Sequence, residues 1–373
     1  MDTSCDILVI GGGIAGLSLA SELAERADVV VIEAEPSLAY HTSSRSARQL
    51  IPSYGPAIVQ ALTIRTLALV RTLEADLPQP LLTPRSFMLI GDEEDVRDRA
   101  SGHMHPITAA EAYALAPELR AGAVTAAGLD TTSVACDTKG LLDWHIARIR
   151  DHGGRIRTGA RAGFAARNAA AGPGSGASVD GTRWVVQTPS GTVTAGKVVN
   201  AAGAWADDVG RLFGARRLGL QAYRRTAAIV DVRNPPAPDG PMVADAADRF
   251  YYRPFDGRVL ISPAESEPSI PMDALPRASD VNALITLIDS MTTLDIAGVE
   301  HAWTGLRTEA PDGVPVAGYD ADVPGFFWLA GQGGYGFQTS SALAEFAAHL
   351  LMGDEIDPAT AAALAPTRAG LGG

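Results

Sequence analysis

The chain has 373 residues, about two domains' worth, and with 46% hydrophobic and 20% charged residues it can bury a sizeable core. A balance of 30 basic against 43 acidic residues, net −13, opposes sequence-independent binding to phosphate backbones or anionic lipid, so no nucleic-acid partner is expected. Two cysteines, Cys5 and Cys136, are too few for a disulfide framework, and with no CxxC or His/Cys cluster no metal is expected.

The first 35 residues predict strand, turn, helix and strand. DILVI is a short apolar run, GGGIAG the turn, LSLASELAER carries helical spacing, and DVVVIEAE is a second buried run. A βαβ unit at this point implies a parallel sheet in a layered α/β architecture. The apolar stretch Ile7 to Ala20 is preceded by Asp2 and Asp6 and broken by three glycines, unlike a signal peptide. No other segment approaches about 18 uninterrupted apolar residues, so the chain is expected not to span a membrane and to be cytoplasmic.

Residues 41 to 55 read as a loop returning to this unit, and Ala57 to Glu74 as a helix. Between Leu81 and Ser133 the pattern is mixed, with a strand at SFMLIG and short helices around Ala109 to Ala121. Asp137 caps a helix that a Gly-Gly pair stops. The low-complexity stretch at 169 to 177 predicts a hairpin tip. TAAIVDV, FYYRPF and RVLIS then suggest a second, mostly antiparallel sheet. A helix is expected from about Val281 to Leu294, and GFFWLAG feeds a glycine-rich turn and a helix from Thr339 to Met352. The fold class is therefore α/β, or α+β in two domains: a Rossmann-like nucleotide domain from 1–80, 134–215 and 308–373, and a substrate domain interleaved at 81–133 and 216–307.

Gly11, Gly13 and Gly16 fall in the G-x-G-x-x-G spacing after a strand and at the start of a helix. The first glycine permits the tight turn, the second close approach of a pyrophosphate, and the third close packing of helix on strand. Ile14 and Ala15 open the helix, whose N-terminus offers N–H groups to phosphates. Glu33, followed by Ala34, ends the second strand where a carboxylate accepts hydrogen bonds from a ribose diol. The βαβ unit alone does not separate NAD from FAD.

Three later segments bear on that choice: HTSSRSARQ at 41 to 49, VVNAAGAWADDVG around 198 to 210, and GLRTEAPDGVPVAGY with GQGGYGFQTS near the C-terminus. Together they resemble the D-amino-acid oxidase superfamily of flavoproteins, and within it most resemble the bacterial FAD-dependent D-arginine dehydrogenases. The resemblance implies FAD, held non-covalently, with Ser44, Arg45, Ser46 and Ala47 along the pyrophosphate and isoalloxazine. Arg45 has the electrostatic reason to sit near phosphates. Ala162, Ala201, Gly203 and Trp205 would lie on the adenosine side. Gly333, Gly334, Tyr335, Gly336, Phe337, Gln338 and Thr339 would turn backbone amides toward the flavin, where negative charge develops on reduction.

The same resemblance assigns Arg225 and Arg307 to the substrate carboxylate, a task for which a guanidinium fork suits better than lysine. Arg307 also belongs to the cofactor set. Tyr251 would add a phenolic hydrogen bond, and Tyr54 and the Gly334 backbone would close the site. The implied activity is oxidation of a D-amino acid by hydride transfer from a neutral amine, giving a 2-oxo acid and ammonia. No side-chain base is compelled, and His41 is expected to pack or hydrogen-bond. Phe87 stands where the arginine-preferring relatives have a glutamate, Gln49 where they have a histidine, and Ile51 where they have a threonine; Met242 matches and Ala244 replaces a valine. That pocket should favour apolar or aromatic side chains, because a buried cation would lack its partner. Neither lysine, Lys139 nor Lys197, is expected at the flavin, which favours a quinone or other acceptor over oxygen. The alternatives are a glycine- or sarcosine-type amine oxidase and, from another class, a non-catalytic flavin-binding sensor.

Overall fold

The buried runs at the start of the chain become the centre of a parallel sheet. In the computed structural model, which describes residues 2–169 and 182–372, Thr3–Ile10 lies between Val29–Ile32 and Gly191–Asn200, parallel to both. Arg155–Arg157 and Phe326–Ala330 extend the parallel set on its two sides. Leu8, Val9 and Val29 to Val31 have no exposed surface, as strands covered on both faces require. Antiparallel Thr182–Thr188, Phe164–Ala169 and Val316–Tyr319 complete eight strands. The hairpin tip expected at 169 to 177 falls, but for its first residue, outside the described residues.

Helices Ile14–Leu23, Thr138–Asp151 and Ser340–Met352 share one apolar core against this sheet. The second begins as expected, with the Asp137 carboxylate accepting from the Gly140 N–H at 3.0 Å. Ala57–Glu74 forms over the expected residues, burying Val59, Leu62, Leu67 and Val70 at helical spacing.

The second sheet has nine strands. All its pairings are antiparallel but one, Met242–Asp245 beside Phe87–Gly91. Its spine is the pair Gln221–Val232 and Ile296–Glu309, in register with Tyr223 opposite Arg307 and Arg225 opposite Gly305. Gln49–Leu50, Val134–Cys136 and Leu82–Pro84 form a small third sheet that anchors the end of the 41–49 loop, with Leu50, Leu82, Val134 and Cys136 in the first sheet's core.

Two helical expectations shift, and one helix was not expected. The helix expected to reach Ala121 stops at Leu115, just before Pro117, which cannot continue it. The helix expected from Val281 to Leu294 runs Ala278–Met291, ending as Thr292 turns extended. Glu93–Arg99, capped by Asp92, was hidden in a segment too charged to show an apolar stripe. No helix among the described residues is long and apolar enough to cross a membrane. Both cysteines are buried and unpaired.

Candidate active site

At the carboxyl ends of the parallel strands the first turn opens a cavity of about 290 Å³. Gly11 has φ +119°, and a Cβ there would lie 2.3 Å from the Ala201 carbonyl oxygen. At Gly16 a Cβ would lie 2.0 Å from the Gly11 carbonyl, so backbone meets backbone where the motif requires it. Gly13 is the N-cap of the helix and, as a glycine, brings no capping side chain of its own. Glu33 lines the cavity, its carboxylate held by the Gly12 N–H at 2.7 Å and the Glu35 N–H at 2.8 Å. Ala34, Ala162, Ala201, Gly203 and Trp205 line it too. The His41 ring packs 4.6 Å from the Trp205 ring at a 45° tilt and lies 3.1 Å from the Glu35 carboxylate, a packing and hydrogen-bonding position.

A second cavity, of about 140 Å³, meets the first at Thr42 and Ser43, which line both. Into it converge Arg225, Arg307, Tyr251 and Tyr54, with Gln49, Ile51, Phe87, Met242 and Ala244. Ile14, Ser46, Ala47, Gly333, Gly334, Gly336, Phe337 and Gln338 form its other walls. Ala15, Tyr335 and Thr339 stand behind the surface. The Tyr335 ring packs 5.3 Å from that of Tyr54, and the Thr339 hydroxyl donates to the Tyr335 carbonyl at 2.8 Å. Gln338 ties this turn to the body through the Thr63 hydroxyl, at 3.0 Å.

Strand register decides which arginine serves the cavity. Arg225 and Arg307 sit diagonally on neighbouring strands and so on one face. Arg224 points the other way, buried and donating to the Leu275 carbonyl at 2.7 Å. Among the described residues neither cavity arginine has an ion-pair partner. Arg225 donates to the Ser266 hydroxyl at 3.0 Å, and its Nε is buried without a partner. Burial, then the neighbouring Arg307, lowers the Arg225 pKa. Burial also pushes Arg307 down, but the neighbouring Tyr54 and Tyr251, then Glu309 and Tyr335, leave it above its ordinary value. A Cβ on Gly334 would come within 3.0 Å of the Arg307 guanidinium carbon, so the glycine lets the backbone lie against that group.

Two expected loop residues are placed differently. The Ser44 hydroxyl turns back to the Tyr40 and His41 carbonyls, both at 3.0 Å. Its neighbour Ser43 enters the cleft instead, accepting from the Ile14 N–H at 2.9 Å. The Arg45 guanidinium is held by Asp273, at 2.6 Å, and by the Thr304 and Ala274 carbonyls, and the side chain lines the second cavity. A charged pair the sequence did not reveal, Arg99 with Asp248 at 2.6 Å, also lines this cavity. The two lie far apart in the chain and in no motif. Lys139 pairs with Asp143, and Lys197 donates to the Leu351 carbonyl; neither lines the cleft.

A glycine turn at a helix N-terminus, a carboxylate at the end of the second strand and an elongated two-chambered cleft are the features of a dinucleotide-dependent enzyme. The chain belongs to the FAD dependent oxidoreductase (DAO) family, which it matches over residues 6–350. It is 25% identical to the glycine oxidase of Geobacillus kaustophilus, over 87% of each chain. It is 27% identical to the mitochondrial dimethylglycine dehydrogenase of Rattus norvegicus over 89% of its own length, but spans only 41% of that protein. The fold is that of the L-proline dehydrogenase of P. horikoshii, with a TM-score of 0.83, 21% identity and 98% of each chain covered. The glycine oxidase structure from Geobacillus kaustophilus has a TM-score of 0.81 at 21% identity, covering 98% of this chain and 99% of the other.

The residues present fit FAD. The Gly11 and Gly16 cradle has no room for side chains, Glu33 stands anchored in the adenosine-side chamber, and the second chamber is contiguous with the first through Thr42 and Ser43.

Proposed function

We propose that this protein oxidises free α-amino acids to 2-oxo acids and ammonia, D-amino acids with apolar or aromatic side chains before basic ones. The observation that carries the reading is the pair of guanidiniums, Arg225 and Arg307, facing one small cavity without a carboxylate partner. FAD, when bound in the adjoining chamber, supplies the two-electron acceptor. On this reading the eight-stranded sheet belongs to the cofactor domain (1–80, 134–215 and 308–373) and the nine-stranded sheet to the substrate domain (81–133 and 216–307).

Arg225 and Arg307 hold the substrate carboxylate, and the Tyr251 and Tyr54 hydroxyls add polar contacts on the same side. Fixing that carboxylate fixes the α-carbon, which converts a bimolecular encounter into a positioned one. The two cations also disfavour a neighbouring ammonium relative to the free amine, so the substrate reacts as the neutral amine and no side-chain base is needed. Among the described residues the only carboxylate lining the cavity, Asp248, is already engaged by Arg99. Phe87, Ile51 and Met242, all buried, receive the side chain; none offers a counter-charge to a basic one.

The acceptor is proposed to be a quinone or another oxidant rather than oxygen, since neither lysine lies at the cleft. A second reading, oxidation of glycine or its N-methyl derivatives, is supported by the small volume of the chamber. A sensor without turnover has no use for a paired carboxylate grip. Anaerobic mixing of the FAD-loaded protein with matched D- and L-amino acids tests all three. Loss of flavin absorbance with apolar D-amino acids only is the expected result; reduction by glycine or sarcosine alone supports the second reading, and reduction by none overturns both enzymatic readings. Repeating the panel in air with peroxide detection tests the acceptor.

A further inference from the structure

Behind the wall of the substrate chamber lies another cavity, of about 660 Å³, lined by Arg48, Arg85, Arg253 and Arg258 together with Phe255 and the prolines of residues 235–238. Arg258 is neutralised by Asp231 at 3.1 Å and Glu300 at 2.6 Å. The other three have no ion-pair partner among the described residues. Arg253, only 6% exposed, donates to the Ala47, Arg48 and Pro254 carbonyls at 3.0, 2.7 and 3.3 Å. Arg85 donates to the Pro238 carbonyl at 2.8 Å and to that of Gly240, while its Nε is buried with no partner. Arg48 lies 5.1 Å over the Phe255 ring.

Carbonyls hold a guanidinium in place without cancelling its charge. The carboxylates on the cavity wall are Asp137 and Asp256; the first is occupied by the Gly140 N–H of its own helix. Burial, then Arg85 and Arg48, pushes the Arg253 guanidinium down to about 10 against a smaller upward pull from Asp256, so the arginines repel one another and the wall carboxylate offsets only part of that. In a chain with 43 acidic residues against 30 basic ones, three such groups around one cavity are the reverse of what general electrostatics would leave unpaired. Arg253 is buried, Arg85 half-buried and Arg48 exposed at the rim; a buried charge such as Arg253 is costly unless countered, and planar forks in this arrangement match oxyanions.

We propose that this rear cavity binds a small molecule carrying an oxyanion, phosphate or carboxylate, with an apolar or planar body against Phe255 and the prolines. The site is wired to the active site. Ala47 and Gln49 line the substrate chamber while Arg48, between them, lines the rear cavity. Arg48 holds a positive φ of 55°, the Arg253 guanidinium grips the carbonyls of Ala47 and Arg48, and the Arg85 carbonyl accepts from the Gln49 amide at 2.9 Å. An occupant that draws on Arg48, Arg85 and Arg253 therefore changes substrate affinity, and the substrate changes the occupant's affinity by the same factor.

The test uses FAD-loaded protein titrated with inorganic phosphate and, separately, with citrate, against sodium chloride at equal ionic strength, read by calorimetry and melting temperature. Saturable binding of one anion above the chloride control is expected; the stronger of the two names the ligand's acidic group. In the Arg48→Gln/Arg85→Gln variant that affinity falls about ten-fold or more. In Arg307→Met, rear-cavity binding persists. Should the double variant not fold, Arg48→Gln alone, which removes no hydrogen bond, is expected to weaken binding about three-fold or more. No binding beyond chloride, unchanged binding in the folded arginine variants, or loss in Arg307→Met instead overturns the proposal.

Discussion

At one end of the cleft Gly11, Gly16 and Ala201 set backbone against backbone at separations that leave no space for a Cβ. At the other end, Arg225, Arg307, Tyr251 and Phe87 reach inward from strands of a different sheet. The first chamber is made by main-chain geometry and short spacings, the second by side-chain direction and long-range register. A ligand with phosphates suits the former because helix N-termini and close backbone approach serve any phosphate. A small zwitterion suits the latter because its carboxylate needs a particular pair of donors.

Substitutions separate the two chambers. The largest effect is expected for Arg307→Met, which removes a charged donor aimed into the substrate chamber: kcat/KM for an amino acid, per bound flavin, falls about 10³-fold or more, ~4 kcal/mol. Arg307→Lys keeps the charge but not the fork, and steady-state kinetics should place it between the two. Gly16→Val, at the other end, is expected to cost ~3 kcal/mol or more of stability through backbone overlap, with flavin lost in parallel. A variant that melts like the parent and stays yellow would break the contrast.

Phe87→Glu sharpens the substrate side. A carboxylate in that wall is expected to raise kcat/KM for D-arginine relative to D-leucine by about 10- to 100-fold, measured as a ratio so that general damage cancels. On the cofactor side, His145 is buried against the Ser21 hydroxyl at 2.7 Å, and burial holds its pKa down at about 3 against an ordinary 6.5. The unfolded chain therefore binds the extra proton between those values. The stabilisation is complete above pH 6.5 and lost as pH falls toward 3, at no more than ~1.4 kcal/mol per pH unit. Urea unfolding at pH 7 and pH 5 should show this loss, and His145→Gln should flatten it. Smallest of all, Asp248→Asn at the exposed rim pair is expected to change KM less than about three-fold.

The same contrast explains what could be read in advance. GGGIAG, Glu33 and the apolar strands around them announce a parallel nucleotide-binding sheet because each signal is local. Arg225 could not be told from Arg224 by local pattern; only the pairing of Tyr223 with Arg307 puts Arg225 on the cavity face. Ser43 and Ser44 differ by one position in a short helical turn, and the hydrogen bond from the Ile14 N–H selects the first. Asp273, which pairs with Arg45, lies in a loop that no periodicity connects to residue 45. The Arg99 and Asp248 pair depends on two segments whose proximity arises only from strand order.

The carboxylate grip is tested most directly by anaerobic titration of the FAD-loaded protein with D-phenylalanine and with D-phenylalaninamide, following the flavin absorbance. The acid is predicted to bleach the flavin, and the amide, deprived of the charge that Arg225 and Arg307 would hold, to do so at least about 100-fold less efficiently. Equal bleaching by the two would contradict it.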